Sequence, residues 1–357
     1  MKVVISGYYG YNNVGDEAIL KSIITALRNE NSNIDIVVLS NDVDYTEKTY
    51  NVKAINRWKM VDIYKELRKS DGLISGGGSL LQDVTSNRPV KYYTGIIALA
   101  KLAKKPVFIY AQGVGPINNS TNKKITKYFM QKSNYIALRD EDSKNLVKSI
   151  GVTKQIEIVP DPVMGFEIEN FDSDLCNDYG DSFVSISVRE WTKATTDFLG
   201  KVAKTCDELV DKGYEVVFLP MHGEHDDKIS KQVVQMMKNN AHVFPYDTSI
   251  EEKILCIKKS KLMIGMRLHA LIFAASVNTP MIGISYDPKI DSFLKLVNQP
   301  CIGSVDNNWS SEELLKKTIS IINNYDNEKQ KLSVESKLLK KSAQKTAKIA
   351  IEIFKDK

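Results

Sequence analysis

Lys2-Val3-Val4-Ile5-Ser6 is followed by Gly7-Tyr8-Tyr9-Gly10-Tyr11-Asn12-Asn13-Val14-Gly15-Asp16-Glu17 and by a helical pattern running from Glu17 to Arg28. A β-branched run, a glycine-rich turn and a helix make one strand–turn–helix unit. Similar units recur at Ile34–Leu39, at Gly72–Ile74 before Gly76-Gly77-Gly78, at Val107–Ala111 before Gly113, and at Tyr135–Leu138 before Arg139. Continuous apolar strands separated by helix-length segments argue for a parallel sheet covered on both faces. The pattern breaks at Pro160-Asp161-Pro162, and an acidic, irregular stretch runs to Gly180. A second set of strands follows at Phe183–Val188, Glu215–Leu219, Ala241–Phe244, Leu262–Ile264 and Met281–Ile284. The fold class expected is therefore α/β, with two Rossmann-like parallel-sheet lobes. Residues 1–165 form the first, 166–180 a linker and 181–325 the second, and 326–357 form a basic amphipathic helix packing across the lobes.

A chain of 357 residues with 43% hydrophobic content is long enough for two such domains, each with its own core. The four cysteines (Cys176, Cys206, Cys256, Cys301) are widely spaced and contain no C-x-x-C pair, which speaks for reduced thiols and against a zinc site or disulfide framework. A net charge of +5, without an aromatic-basic recognition motif, argues against a nucleic-acid partner. That charge is concentrated at the end, where Lys316 to Lys357 holds eleven lysines against five acidic residues. The opening residues lack a secretory pattern, and stretches such as Thr94–Ala100 are too short to span a bilayer. A cytoplasmic location is expected.

Open parallel sheets bind ligands at the carboxyl ends of their strands, so the residues there are the candidates. In the Gly7–Glu17 loop, Asn13 or Asp16 either caps the helix or, with the tyrosines, holds sugar hydroxyls; an acidic residue there argues against a dinucleotide phosphate site. Ser75-Gly76-Gly77-Gly78-Ser79 is expected to open a helix, which would turn the N–H groups of Gly77 and Gly78 toward an anion. Gln112, Arg139 and Arg189 also end strands. A charged residue there is often only where the chain meets water, yet arginine also matches carboxylate and phosphate with paired hydrogen bonds. Gly265-Met266-Arg267-Leu268-His269-Ala270 takes a strand directly into a helix, so Arg267 and His269 flank a helix N-terminus at the sheet edge. His222 and His225 suggest metal ligands, but no third ligand accompanies them, and a polar cleft loop is the preferred reading. Lys289, after a strand and a turn, is placed to present a point charge to phosphate.

Taken together, the Gly7–Glu17 loop, Gly76–Gly78, Gln112-Gly113, Ala137–Asp140, Arg189, Arg267-Leu268-His269 and Tyr286-Asp287 resemble the polysaccharide pyruvyl transferase family. The similarity extends to the branch acting on secondary cell-wall polymers that anchor S-layer proteins. The resemblance implies a fold similar to B-type glycosyltransferases, with the C-terminal helix crossing between lobes and the active site between them. It implies phosphoenolpyruvate as donor, held on the C-terminal side. The implied acceptor, on the N-terminal side, is a lipid-linked saccharide carrying N-acetylmannosamine. The product is a cyclic pyruvate ketal.

The family's Arg-Leu-His motif carries over to Arg267, Leu268 and His269, and its strand-end arginine to Arg189. His269 and Arg267 are then the catalytic pair. Arg189, Arg267, Lys289, Gly77 and Gly78 bind the donor, and Asn13, Asp16, Arg139 and Gln112 the acceptor. Lys289 is the weaker match, since arginine is equally expected there. No metal or other cofactor is implied. The basic helix adds an anionic membrane surface as partner, placing the enzyme peripherally at its inner face. A B-type glycosyltransferase using a nucleotide sugar is the alternative, and a non-catalytic sugar- or phosphate-binding module is a third reading.

Overall fold

The computed structural model describes residues 1–84, 86–168, 171–180 and 182–355. The expected lobe start at 181 and the last two residues of the expected helix lie outside them. The chain divides into two compact units, Met1–Phe166 with Leu339–Lys357, and Glu167–Leu338.

The first unit holds β1 (Lys2–Ser6), β2 (Asp35–Ser40), β3 (Lys53–Asn56), β4 (Gly72–Ser75), β5 (Gly78–Leu81), β6 (Val107–Val114), β7 (Tyr135–Leu138) and β8 (Glu157–Ile158). All pairings are parallel, in the order β3-β2-β1-β4-β6-β7-β8, with β5 added beside β6. Val3, Val4 and Ile5 are wholly buried, as the uninterrupted apolar run requires. After β1 the chain enters the helix Val14–Glu30, which Asn13 caps by accepting from Gly15 N. Ile19, Leu20, Ile23, Ile24 and Leu27 bury one face of this helix.

One expectation about this unit is corrected. The glycine run after β4 opens no helix: it leads into β5, and the next helix is Arg88–Leu102. Gly77 and Gly78 therefore present no helix N-terminus to an anion. Steric demands explain the glycines. A Cβ on Gly76 would come 2.2 Å from Tyr9 Oη, and Gly78, at φ +88°, would place one 2.8 Å from Asp16 Oδ1.

The second unit holds β9 (Phe183–Ser187), β10 (Glu215–Phe218), β11 (His242–Val243), β12 (Leu262–Gly265), β13 (Met281–Ser285) and β14 (Cys301–Ser304). They form a six-stranded parallel sheet in the order β11-β10-β9-β12-β13-β14. Its core gathers Ile186, Phe218, Ile264, Ile282 and Trp309. Within the expected linker, Asp174–Tyr179 is a short 3-10 helix whose Tyr179 ring packs edge-on against Phe183 at 5.8 Å.

The last helix, Tyr325–Lys355, passes from the second unit into the first at Leu338/Leu339. Its buried positions are mostly small: Ala343, Thr346, Ala347 and Ala350, with Leu332 and Phe354 near the ends. Phe354 lies so close to Gly72 that a Cβ there would come 2.3 Å from its ring. Leu338 is 62% exposed.

Candidate functional site

In each sheet the chain starts on an inner strand, adds two neighbours on one side, and then crosses to the other. The crossover points are β1/β4 and β9/β12, where the carboxyl ends of adjacent strands splay their loops apart and open parallel sheets bind ligands.

At β1/β4 the loop after β1 is held by Glu17, a buried carboxylate accepting from Gly10 N at 2.7 Å and Tyr50 Oη at 2.6 Å. Asn13 caps the helix and Asp16 does not. Asp16, partly exposed yet closely surrounded by protein, faces Gly78. Burial pushes its carboxyl up to about 7, the neighbouring Glu17 and Asp161 carboxylates push the same way, and Arg139 opposes them. Gln112 is wholly buried, and neither atom of its amide finds a hydrogen-bond partner among the described residues. It follows Ala111, a non-glycine residue at φ +47°, where the register of β6 shifts against β7. An unsatisfied amide beside a strained backbone is costly in a structural core, and such costs concentrate at functional sites. Arg139 is already engaged, donating to Asp161 Oδ2 at 3.0 Å and Ser79 Oγ at 3.3 Å. It positions its neighbours rather than offering an open guanidinium.

At β9/β12, Arg189 lies two residues past β9, its guanidinium over the rings of Tyr286 (4.5 Å) and Trp191 (5.3 Å). No acidic side chain pairs with it among the described residues; Nε donates to Glu190 O at 3.2 Å, and the stacked face fixes the group with its Nη atoms unpaired by carboxylate. Arg267 is the N-cap of helix Leu268–Ser276, and His269 stands in that helix's first turn, partly exposed. Arg267 is paired with the fully buried Asp226: Nε donates to Oδ2 at 2.9 Å and Nη2 to Oδ1. Asp226 also accepts from Met221 N at 3.2 Å, tying the end of β10 to the end of β12. Lys289 enters the first turn of helix Pro288–Leu296, its N–H bound to the capping Asp287. Ser187, level with Gly265 across the crossover, has a buried hydroxyl with no partner among the described residues.

The structure thus brings Arg189, Arg267, His269 and Lys289 to one sheet edge, and Asn13, Asp16, Arg139 and Gln112 to the corresponding edge of the other. Sequence reasoning did not single out Asp226 or Ser187, and it placed His222 only in a polar cleft loop. His222 precedes helix Gly223–Met236, and its pKa is lowered, first by burial and then by the positive charge of Arg267, so the neutral imidazole is favoured. The rings of His222 and His225 lie parallel with centroids 6.3 Å apart. No three His, Cys, Asp or Glu side chains among the described residues are grouped to hold a metal ion, and none of the described helices is long and apolar enough to cross a membrane.

Two Rossmann-ordered sheets with polar crossover edges define the architecture shared by B-type glycosyltransferases and nucleotide-sugar epimerases. UDP-GlcNAc 2-epimerase from Neisseria meningitidis, solved with UDP-GlcNAc, is 13% identical, covers all of both chains and superposes with a TM-score of 0.67. ADP-heptose lipopolysaccharide heptosyltransferase II from E. coli is 12% identical over 91% of this chain and 100% of its own, with a TM-score of 0.55. At such identities the likeness establishes the fold alone. The family is shown by sequence: residues 13–288 match the polysaccharide pyruvyl transferases, and the chain belongs to that family. The amylovoran biosynthesis protein AmsJ of Erwinia amylovora is 23% identical over 93% of this chain and 95% of its own.

Proposed function

We propose that the protein transfers the pyruvyl group of phosphoenolpyruvate onto two hydroxyls of one sugar, forming a cyclic ketal and releasing phosphate. The observation that carries this reading is the second unit's crossover edge. An arginine stacked on aromatics without an acidic partner stands there with a buried-carboxylate-held arginine and a histidine at a helix N-terminus. Such a set suits a small ligand carrying both carboxylate and phosphate.

In this proposal Arg189 and Lys289 hold the donor's anionic groups, and Arg267, locked by Asp226, directs its remaining N–H donors toward them. His269 gives a proton to carbon 3, which becomes the methyl group, and carbon 2 takes on oxocarbenium character. One sugar hydroxyl adds to carbon 2 and phosphate leaves with its bridging oxygen. The second hydroxyl then closes the ring. Of the two hydroxyl protons, one replaces that given by His269 and the other leaves with phosphate. Asp16, with its raised pKa, is suited to accept a hydroxyl proton near neutral pH. Gln112 offers an amide to the acceptor, and Asn13 and Arg139 fix the surrounding loops. Gly78 contributes by letting the backbone approach Asp16, and Gly77 by its close approach to Ile19.

The finer reading takes N-acetylmannosamine in a lipid-linked cell-wall precursor as acceptor, with the lysines of the last helix directed at an anionic membrane surface. It rests on the family resemblance and the basic helix. Because the relative from Erwinia amylovora is named for a different polysaccharide, amylovoran, the acceptor is best tested as a panel. Phosphate release from phosphoenolpyruvate is measured with N-acetylmannosamine-, glucose- and galactose-containing acceptors. Release that depends on an acceptor supports transfer. Release of a nucleoside diphosphate from UDP-sugars instead would identify a glycosyltransferase.

A further inference from the structure

The sharpest feature outside the crossover edges surrounds Arg57, the residue immediately after β3. Its side chain is 3% exposed and its guanidinium lies against four rings: Tyr92 at 4.4 Å, Tyr11 at 5.3 Å, Trp58 at 5.4 Å and Tyr93 at 5.5 Å. Nη1 donates to Gly7 O at 3.0 Å and Nη2 to Tyr93 Oη at 3.2 Å, and no carboxylate pairs with it among the described residues. A buried cation compensated only by ring faces and neutral oxygens is costly where an apolar side chain would fill the space. What it achieves is to lock the rings in place. Tyr8 stacks on Tyr11 at 4.2 Å and 7°, and the outer members are open, Tyr8 being 40% and Trp58 58% exposed. Met60 and Val61 extend the apolar exposure beside them.

Next to the rings, at the carboxyl ends of β1, β2 and β3, lies a depression of about 480 Å³ lined by Tyr11, Asn12, Asn41, Asp42, Asp44 and Asn56. We propose that this face is a saccharide-binding platform: the exposed rings of Tyr8, which is backed by Tyr11, and Trp58 stack on the C–H face of a pyranose, while the adjacent amides and carboxylates take its hydroxyls. A pyranose presents this combination of a flat apolar face and a hydroxylated edge. The acidic pair Asp42 and Asp44 disfavours a phosphate-bearing ligand, which separates the platform from a nucleotide site. The inference deepens the acceptor side of the proposed function and rests on the protein acting on a saccharide. It assigns the platform to a sugar residue of that acceptor other than the one receiving pyruvate. Arg57 is a positioning residue, acting through the rings.

The full chain has three tryptophans, Trp58, Trp191 and Trp309, of which Trp309 is buried. Tryptophan emission is titrated with the N-acetylmannosaminyl-N-acetylglucosamine, glucose and galactose disaccharides and with uridine, and affinities are read by calorimetry. At least one disaccharide should give a saturable change that Trp58→Phe removes while retaining binding. Trp58→Ala and Tyr8→Ala should each weaken that binding about tenfold, and exposed Leu102→Ala should leave it unchanged. No response to any disaccharide, a response to uridine alone, or wild-type affinity in both alanine variants would overturn the platform. If phosphoenolpyruvate is turned over with an unaltered acceptor KM in those variants, pyruvyl transfer stands and the platform falls. Saccharide binding at Trp58 without any turnover would keep the platform and overturn pyruvyl transfer.

Discussion

Replacing Asp226 by alanine removes the acceptor of two guanidinium hydrogen bonds from Arg267 and one backbone hydrogen bond from Met221, at a site fully closed to solvent. The Arg267 side chain is only 19% exposed, so its guanidinium cannot recover full hydration in place. Breaking a buried pair from one side costs about 3–5 kcal/mol, because the remaining charge is left uncompensated. In a unit of this size each kcal/mol shifts the midpoint by about 2–4 °C, so the transition of the second unit should fall by about 6–20 °C. Asp226→Asn keeps the shape and the contact to Met221 and should lose less, about 1.5–3 kcal/mol, the worth of a charge-assisted hydrogen bond. Differential scanning calorimetry separates the two, and phosphoenolpyruvate titration of Asp226→Asn reports whether Arg267 must be held to bind the donor. An Asp226→Ala transition within a degree of wild type would mean that this pair does not build the edge.

Further outcomes are expected. Arg189→Ala should weaken phosphoenolpyruvate binding by about 1.5–3 kcal/mol, a loss of one charge-assisted contact, while unchanged calorimetric affinity would remove Arg189 from the donor site. His269→Ala should lower ketal formation by about 10²–10⁴, the usual contribution of a general acid, with donor binding retained; near-wild-type turnover contradicts the assignment. Asp16 should affect stability with a defined sign. Its folded pKa of about 7 lies above the ordinary aspartate value of 3.8, so wild type loses stability relative to Asp16→Asn as pH rises from about 4 to 7. Thermal melting should favour the variant at pH 8 and not at pH 4. Changing Lys337, Lys340, Lys341 and Lys345 to Gln should abolish co-sedimentation with anionic liposomes at low salt, whereas no sedimentation of wild type would leave the helix a structural element.

The two parallel sheets were legible because their inner strands are unbroken apolar runs, and a strand buried on both faces has no other economical sequence. β3 was not legible: Lys53-Ala54-Ile55-Asn56 contains two apolar residues and only Ala54 is buried, so no run marks it. Arg57 was missed for that reason, since its strand-end position appears only once β3 is known. The glycine run misled in another way. Three glycines after a strand suggested a phosphate-binding helix start, whereas Gly76 makes room for the ring of Tyr9 and Gly78 for Asp16, long-range contacts that local sequence does not encode. Arg267 and His269 were singled out as candidates by the direct strand-to-helix passage, but Asp226 was not. It lies 41 positions from Arg267 and looks like any acidic residue in a helix's first turn. In the second half of the last helix the buried positions Ala343, Thr346, Ala347 and Ala350 are small, as close packing requires, so no run of large apolar residues marks its inward face.

If His269 protonates carbon 3 of phosphoenolpyruvate while two sugar hydroxyls capture carbon 2, the new methyl hydrogen must come from solvent by way of the imidazole. Running the reaction in D2O and measuring product mass together with orthophosphate follows that hydrogen. The expected product is a ketal whose methyl group carries one solvent deuterium, formed in equal amount with phosphate, and lost together with phosphate release in His269→Ala. A product that keeps the methylene as an enolpyruvyl ether, a ketal methyl without deuterium, or an unimpaired His269→Ala variant would contradict the proposed transfer.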